Sequence, residues 1–215
     1  MPAPILDIAI LLFDRLTALD AIGPYEVLSR LPGAEVSFVA AEPGPKRTDN
    51  GRLVLMAERG LEELPHPDVL VVPGGIGQSD NMEDGPVHGW LRGADETSTW
   101  TTSVCTGALI LAAAGLLAGR RATTHWLALD ELERLGALPT QERVVFDGKL
   151  VTAAGVSSGI DMALALAARI AGEEVAEAIQ LSIEYDPEPP FDSGSPRKAP
   201  SAVVDRLRAA SRFAR

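Results

Sequence analysis

The stretch TTSVCTGALILAAAGLLAGRRATTHW, residues 101–126, decides how the chain reads. A β-branched run ends at Val104, the only cysteine follows, and Thr106 and Gly107 lead into an apolar, alanine-rich run at helical spacing. A strand that passes straight into a helix through one cysteine is a sharp turn at the edge where α/β sheets bind ligands. The unpaired N–H groups and partial positive charge of a helix start lower a thiol pKa and hold developing negative charge. A lone cysteine is otherwise a buried core residue. Position alone leaves both readings of Cys105 open.

Outward from this stretch the same alternation recurs. DIAILLF (7–13), AEVSFVAA (34–41), VLVVP (69–73) and TWTTSV (99–104) read as short strands bounded by turn residues. Apolar residues at helical spacing predict helices over 18–31, 87–96, 107–117, 127–135, 157–171 and 173–183. Strands alternating with helices make βαβ units, hence a mainly parallel sheet covered on both faces. VVFDGKLVT (144–152) differs, because Asp-Gly between two β-branched runs predicts a hairpin. DPEPPFDSGSPRKAP (186–200) is too rich in proline for either element and reads as a strap to a last helix over 201–213. Residues 1–185 are therefore expected to form one α/β domain. Residues 186–215 are expected to pack on it or on a dimer partner.

Composition narrows the class. A chain of 215 residues with 46% hydrophobic content can bury one sizeable core. Its longest apolar runs fall short of a membrane span, and no basic region precedes an apolar signal core, so a cytoplasmic address is expected. One cysteine allows no intrachain disulfide and no zinc cluster. The net charge of −11 opposes general attraction to nucleic acid. From Arg197 onward, however, six basic residues face a single acidic one, so a basic helix is expected to dock on its own acidic body or on a twin subunit.

Two further stretches bear on chemistry. VVPGGIG (71–77) sets Gly74 and Gly75 directly after a buried strand, which permits a tight turn with positive φ. The Gly75 N–H is then expected to point into the crevice with the Thr106 amide as an anion hole; otherwise this is an ordinary glycine turn. The spacing fits neither a dinucleotide fingerprint nor a phosphate loop. In LTALDAIGPYEVLSRL (16–31), Asp20 lies just past the first strand, where it either faces the crevice or caps a helix. Gly23-Pro24 opens or bends that helix, and Glu26 reads as an exposed helix residue or a second acid.

Together, D-x-x-G-P-x-E-V-L at 20–28, Pro-Gly-Gly at 73–75, the 103–126 segment and IQLSIEYDPEPPFDSGSP at 179–196 resemble the DJ-1/PfpI superfamily, the last stretch its isonitrile hydratase branch. The resemblance runs from about residue 7 to 200. It implies a flavodoxin-like three-layer sandwich, a homodimer, Cys105 at a nucleophile elbow, and chemistry tied to Asp20, Cys105 and Thr106 without cofactor or metal. Protease-like members carry histidine directly after the cysteine; Thr106 stands here instead, so peptide hydrolysis is not expected. His125, in RRATTHW, is shared with regulators that add a DNA-binding domain, and is expected to support structure or the dimer. With 15 residues after Pro200, no such domain is expected. The expected reaction is hydration of an isonitrile to an N-substituted formamide. A Cys105 thiolate attacks the terminal carbon, Asp20 serves as general acid and base, the Gly75 and Thr106 amides steady charge, and the Thr106 hydroxyl positions water. Gly74 is a candidate oxyanion or substrate-binding residue for this small-molecule substrate, and Ile22, Trp126 and Phe191 read equally as walls of its site or as core. The alternatives are glyoxalase-like chemistry on an α-oxoaldehyde and a non-catalytic sensor that works by oxidation of an exposed, low-pKa cysteine.

Overall fold

The computed structural model describes residues 6–214. In chain order the elements are β1 (Leu6–Leu11), α1 (Ala18–Leu28), β2 (Ala34–Ala40), β3 (Gly44–Arg47), β4 (Val54–Ala57), β5 (Arg59–Gly60), β6 (Val69–Val72), α2 (Pro86–Thr97), β7 (Trp100–Val104) and α3 (Gly107–Ala113). They continue with β8 (Arg121–Ala122), α4 (Leu129–Arg134), β9 (Leu138–Pro139), β10 (Val144–Asp147), β11 (Leu150–Ala153), α5 (Ser158–Ala171), α6 (Glu173–Ser182) and α7 (Ser201–Ala209). Seven strands form one sheet in the order β10-β11-β7-β6-β1-β2-β5. All its pairs are parallel except β10 with β11, the Asp-Gly hairpin.

All of β6 and most of β1 and β7 are buried, which is why they read as continuous apolar or β-branched runs. Helices cover them in two groups: α1 packs on α5 and α5 on α6, while α2 lies against α3 and α3 against α4. The core runs through both layers, from Ile8, Ile10 and Leu70 in the sheet to Leu28, Leu109 and Leu166 in the helices. This is the flavodoxin-like α/β sandwich expected. Two features were not legible. Residues 44–57 form a β3–β4 hairpin whose GPKR half carries no strand pattern. Residues 127–135 hold only a 3₁₀ turn and the six-residue α4.

The strand order places the site. From β1 the chain moves to β2 on one side, then returns to β6 on the other, so the strand order reverses between β1 and β6. Parallel sheets open a crevice at such a point, outside the carboxyl ends of the strands. The segments after β1, β6, β7 and β11 all emerge there, carrying Asp20, Gly74-Gly75, Cys105-Thr106 and residues 154–158. No helix among the described residues is long and apolar enough to cross a membrane.

Candidate active site

Cys105 connects β7 to α3 with φ of 56°, a left-handed conformation that costs a non-glycine residue about 1 kcal/mol or more. Its surroundings hold it there. The Cys105 N–H reaches the carbonyls of Ala153 and Ala154 at 3.1 and 2.8 Å, and its own carbonyl accepts from the Thr124 hydroxyl at 2.8 Å. Gly107 lets α3 begin at once, since a Cβ there would overlap the Val72 carbonyl oxygen. Gly74 is required for a similar reason: a Cβ would stand 2.5 Å from the Thr106 nitrogen. The TTH segment thus acts on the elbow through Thr124. The His125 ring accepts from Leu127 N–H at 3.4 Å, and burial together with the Arg212 charge lowers its pKa.

Asp20 sits in the first turn of α1 but does not cap it; Thr17 occupies that position. The carboxylate turns to the neighbouring loop instead, where Oδ2 accepts the Gly74 N–H at 2.9 Å. Oδ1 is buried without a hydrogen-bond partner, and the residue is 0% exposed. Burial raises its pKa from 3.8 to about 7; the Gly74 N–H and the Cys105 thiol pull it down, and the charge of Asp49 adds to the rise. Asp20 and Cys105 thus each shift the other's protonation.

The cysteine departs from expectation. It is 5% exposed, and burial pushes its pKa up, with the Asp20 charge adding to the effect. Hydrogen bonds from the Thr106 and Val156 amides oppose the rise without cancelling it. The start of a seven-residue helix does not outweigh desolvation here. The sulfur is thus buried with a raised pKa, where the sensor reading expects an exposed, low-pKa cysteine. Val156, in the loop after β11, was missed in the sequence, because nothing local marks a loop brought in by the neighbouring strand.

Gly75 also differs. Its φ of 132° is the glycine-only conformation expected, but its N–H does not face an open crevice. It donates to the Thr106 hydroxyl oxygen at 3.0 Å. An anion at the sulfur therefore meets the Thr106 and Val156 amides, with Gly75 acting one step removed. Among the other expected residues, Ile22 and Trp126 are half-buried, Phe191 is 77% exposed, and Glu26 pairs with Arg30 on the surface. No group of three or more His, Cys, Asp or Glu among the described residues is arranged to hold a metal.

Comparison with known proteins gives consistent results. A model of the DJ-1/PfpI family matches residues 7–169. The isonitrile hydratase of Pseudomonas putida is 48% identical over 203 residues, which span 94% of this chain and 89% of that protein. The HTH-type transcriptional regulator CdhR of Pseudomonas aeruginosa is 32% identical over 80% of this chain and 52% of its own length. A solved structure of a ThiJ/PfpI family protein from Pseudomonas syringae superposes with a TM-score of 0.92 at 35% identity, covering 97% of this chain and 87% of that one.

Proposed function

Because this chain belongs to the DJ-1/PfpI family, we propose that it is an isonitrile hydratase, adding water to an isonitrile to give an N-substituted formamide, with Cys105 as nucleophile. The observation that carries the reading is the pairing of a thiol at a left-handed elbow with a buried carboxyl whose pKa is lifted to about 7. That carboxyl exchanges a proton readily near neutral pH. The likeness to the Pseudomonas putida hydratase supplies the substrate class.

The steps follow from the resting protonation. An ionised Asp20 takes the Cys105 proton as the sulfur bonds to the terminal isonitrile carbon, then delivers it to that carbon, leaving a thioimidate, R–N=CH–S–Cys. Water held by the Thr106 hydroxyl adds to the same carbon while Asp20 accepts its proton. The carbon–sulfur bond breaks, nitrogen and sulfur end protonated, and formamide leaves with the thiol restored. The Thr106 and Val156 amides steady charge on sulfur between these steps. No external oxidant or reductant enters the balance.

A homodimer completes the reading, supported by Leu53, Val54 and Met56, which leave a hairpin strand with exposed apolar side chains for a second copy to cover. A lone reduced thiol fits a cytoplasmic setting. Incubation of the purified protein with a panel of isonitriles and with methylglyoxal tests the activity. Formamide from the former supports it, and consumption of methylglyoxal alone would replace it with the glyoxalase-like reading.

A further inference from the structure

The basic tail ends on the active-site loop. After α7 the chain turns back, Phe213 packs against the core, and the Arg212 guanidinium lies 4.8 Å from the Phe213 ring centre. Arg212 donates to three acceptors of the turn after β6: Ile76 O at 2.7 Å, Gly75 O at 3.0 Å and Gln78 Oε1 at 3.0 Å. No carboxylate pairs with it among the described residues. Of these acceptors, the Gly75 carbonyl matters most, because it is oversubscribed. Besides Arg212, it faces the Gln78 N–H at 3.2 Å and the Thr106 hydroxyl at 3.3 Å.

A carbonyl oxygen has two lone pairs. Three donors compete for them, and a charged guanidinium makes the stronger bond. The Gln78 N–H is fixed by the turn, so the Thr106 hydroxyl holds the longest and weakest of the three. We propose that Arg212 is a positioning residue of the active site: by occupying the Gly75 carbonyl it frees the Thr106 hydroxyl hydrogen to be given to water or substrate in the crevice. Without Arg212 the hydroxyl closes on Gly75 as both acceptor and donor, and is lost to the chemistry.

This assignment rests on the hydratase reading for its main assay. Arg212→Gln is expected to keep its melting temperature within a few degrees and to lose kcat at least about tenfold with KM within about threefold, as for loss of an interaction made during reaction. Arg212→Lys, with a single point charge in place of a planar fork, restores only part of the loss. The deciding readout is a double-mutant cycle with Thr106→Val. In the Thr106→Val background Arg212→Gln should cost less than about twofold, because the hydroxyl it frees is gone. Near-parent kcat in Arg212→Gln, or an equal loss in both backgrounds, would overturn the proposal. If the parent hydrates no isonitrile, that failure belongs to the function reading, and alkylation of Cys105 by iodoacetamide still tests Arg212. Arg212→Gln is then expected to react at least about threefold more slowly at pH 8, since it loosens the turn after β6 that packs against the Thr106 amide next to Cys105; an unchanged rate would remove Arg212 from the site.

Discussion

Replacing Asp20 with asparagine is expected to make the protein's stability less dependent on pH and the protein less active at the same time. Because burial raises the Asp20 pKa in the folded state, that state binds the proton more tightly than the unfolded chain does. Stability is therefore full below about pH 4, declines as the pH climbs, and levels off once it passes about 7. Holding an ionised carboxyl whose pKa stands at about 7 instead of 3.8 costs, at about 1.36 kcal/mol per pH unit, roughly 4 kcal/mol at the alkaline limit. Between pH 5 and pH 8 the change amounts to about 2–3 kcal/mol. For a chain of this size that is about 5–10 °C in melting temperature. Asparagine keeps an acceptor for the Gly74 N–H and carries no charge, so its own contribution does not vary with pH. Thermal melts at pH 5 and pH 8 should show Asp20→Asn gaining on the parent by that margin. Its kcat/KM for formamide production should fall at least about a hundredfold, the ordinary loss when a positioned acid/base is removed. An equal gap at both pH values would refute the buried, proton-holding carboxyl, and near-parent hydration would refute its role in proton transfer.

The parent's kcat/KM should fall as the pH drops through about 7, where Asp20 takes up the proton it must accept from the thiol; a flat profile from pH 5 to pH 8 would contradict that step. Gly107→Ala should lower the melting temperature by about 4–8 °C, as overpacking of roughly 2 kcal/mol does, because its Cβ overlaps the Val72 carbonyl oxygen; an unchanged melt would show that the elbow relaxes freely. Light scattering at micromolar concentration should give the mass of a dimer, and a fully active monomer would remove the homodimer.

The parts of this molecule that sequence reveals are those set by local pattern. Buried parallel strands such as VLVV, the Asp-Gly hairpin and the strand–cysteine–helix junction each follow from neighbours in the chain, and the carboxyl-edge crevice follows from their alternation. What stayed hidden depends on residues far apart. The Gly75 amide is taken by Thr106, 31 positions away. The thiol is dominated by burial, which no helix-start argument can weigh. Val156 reaches the sulfur only because β11 pairs with β7. Arg212 returns to the Gly75 loop across 137 positions. Asp20 lies between these cases: its place beyond β1 was legible, while its choice of Gly74 over its own helix needed the sheet order.

Covalent participation of Cys105 is tested most directly by formamide production from one isonitrile, followed side by side for the parent and Cys105→Ala. Removing one sulfur leaves little cavity, so the variant should melt within a few degrees of the parent and serve as a folded control. The parent is expected to release one formamide for each isonitrile consumed, and Cys105→Ala to release none above the uncatalysed rate. Formamide from Cys105→Ala at a rate near the parent's would contradict the nucleophile and the account built on it.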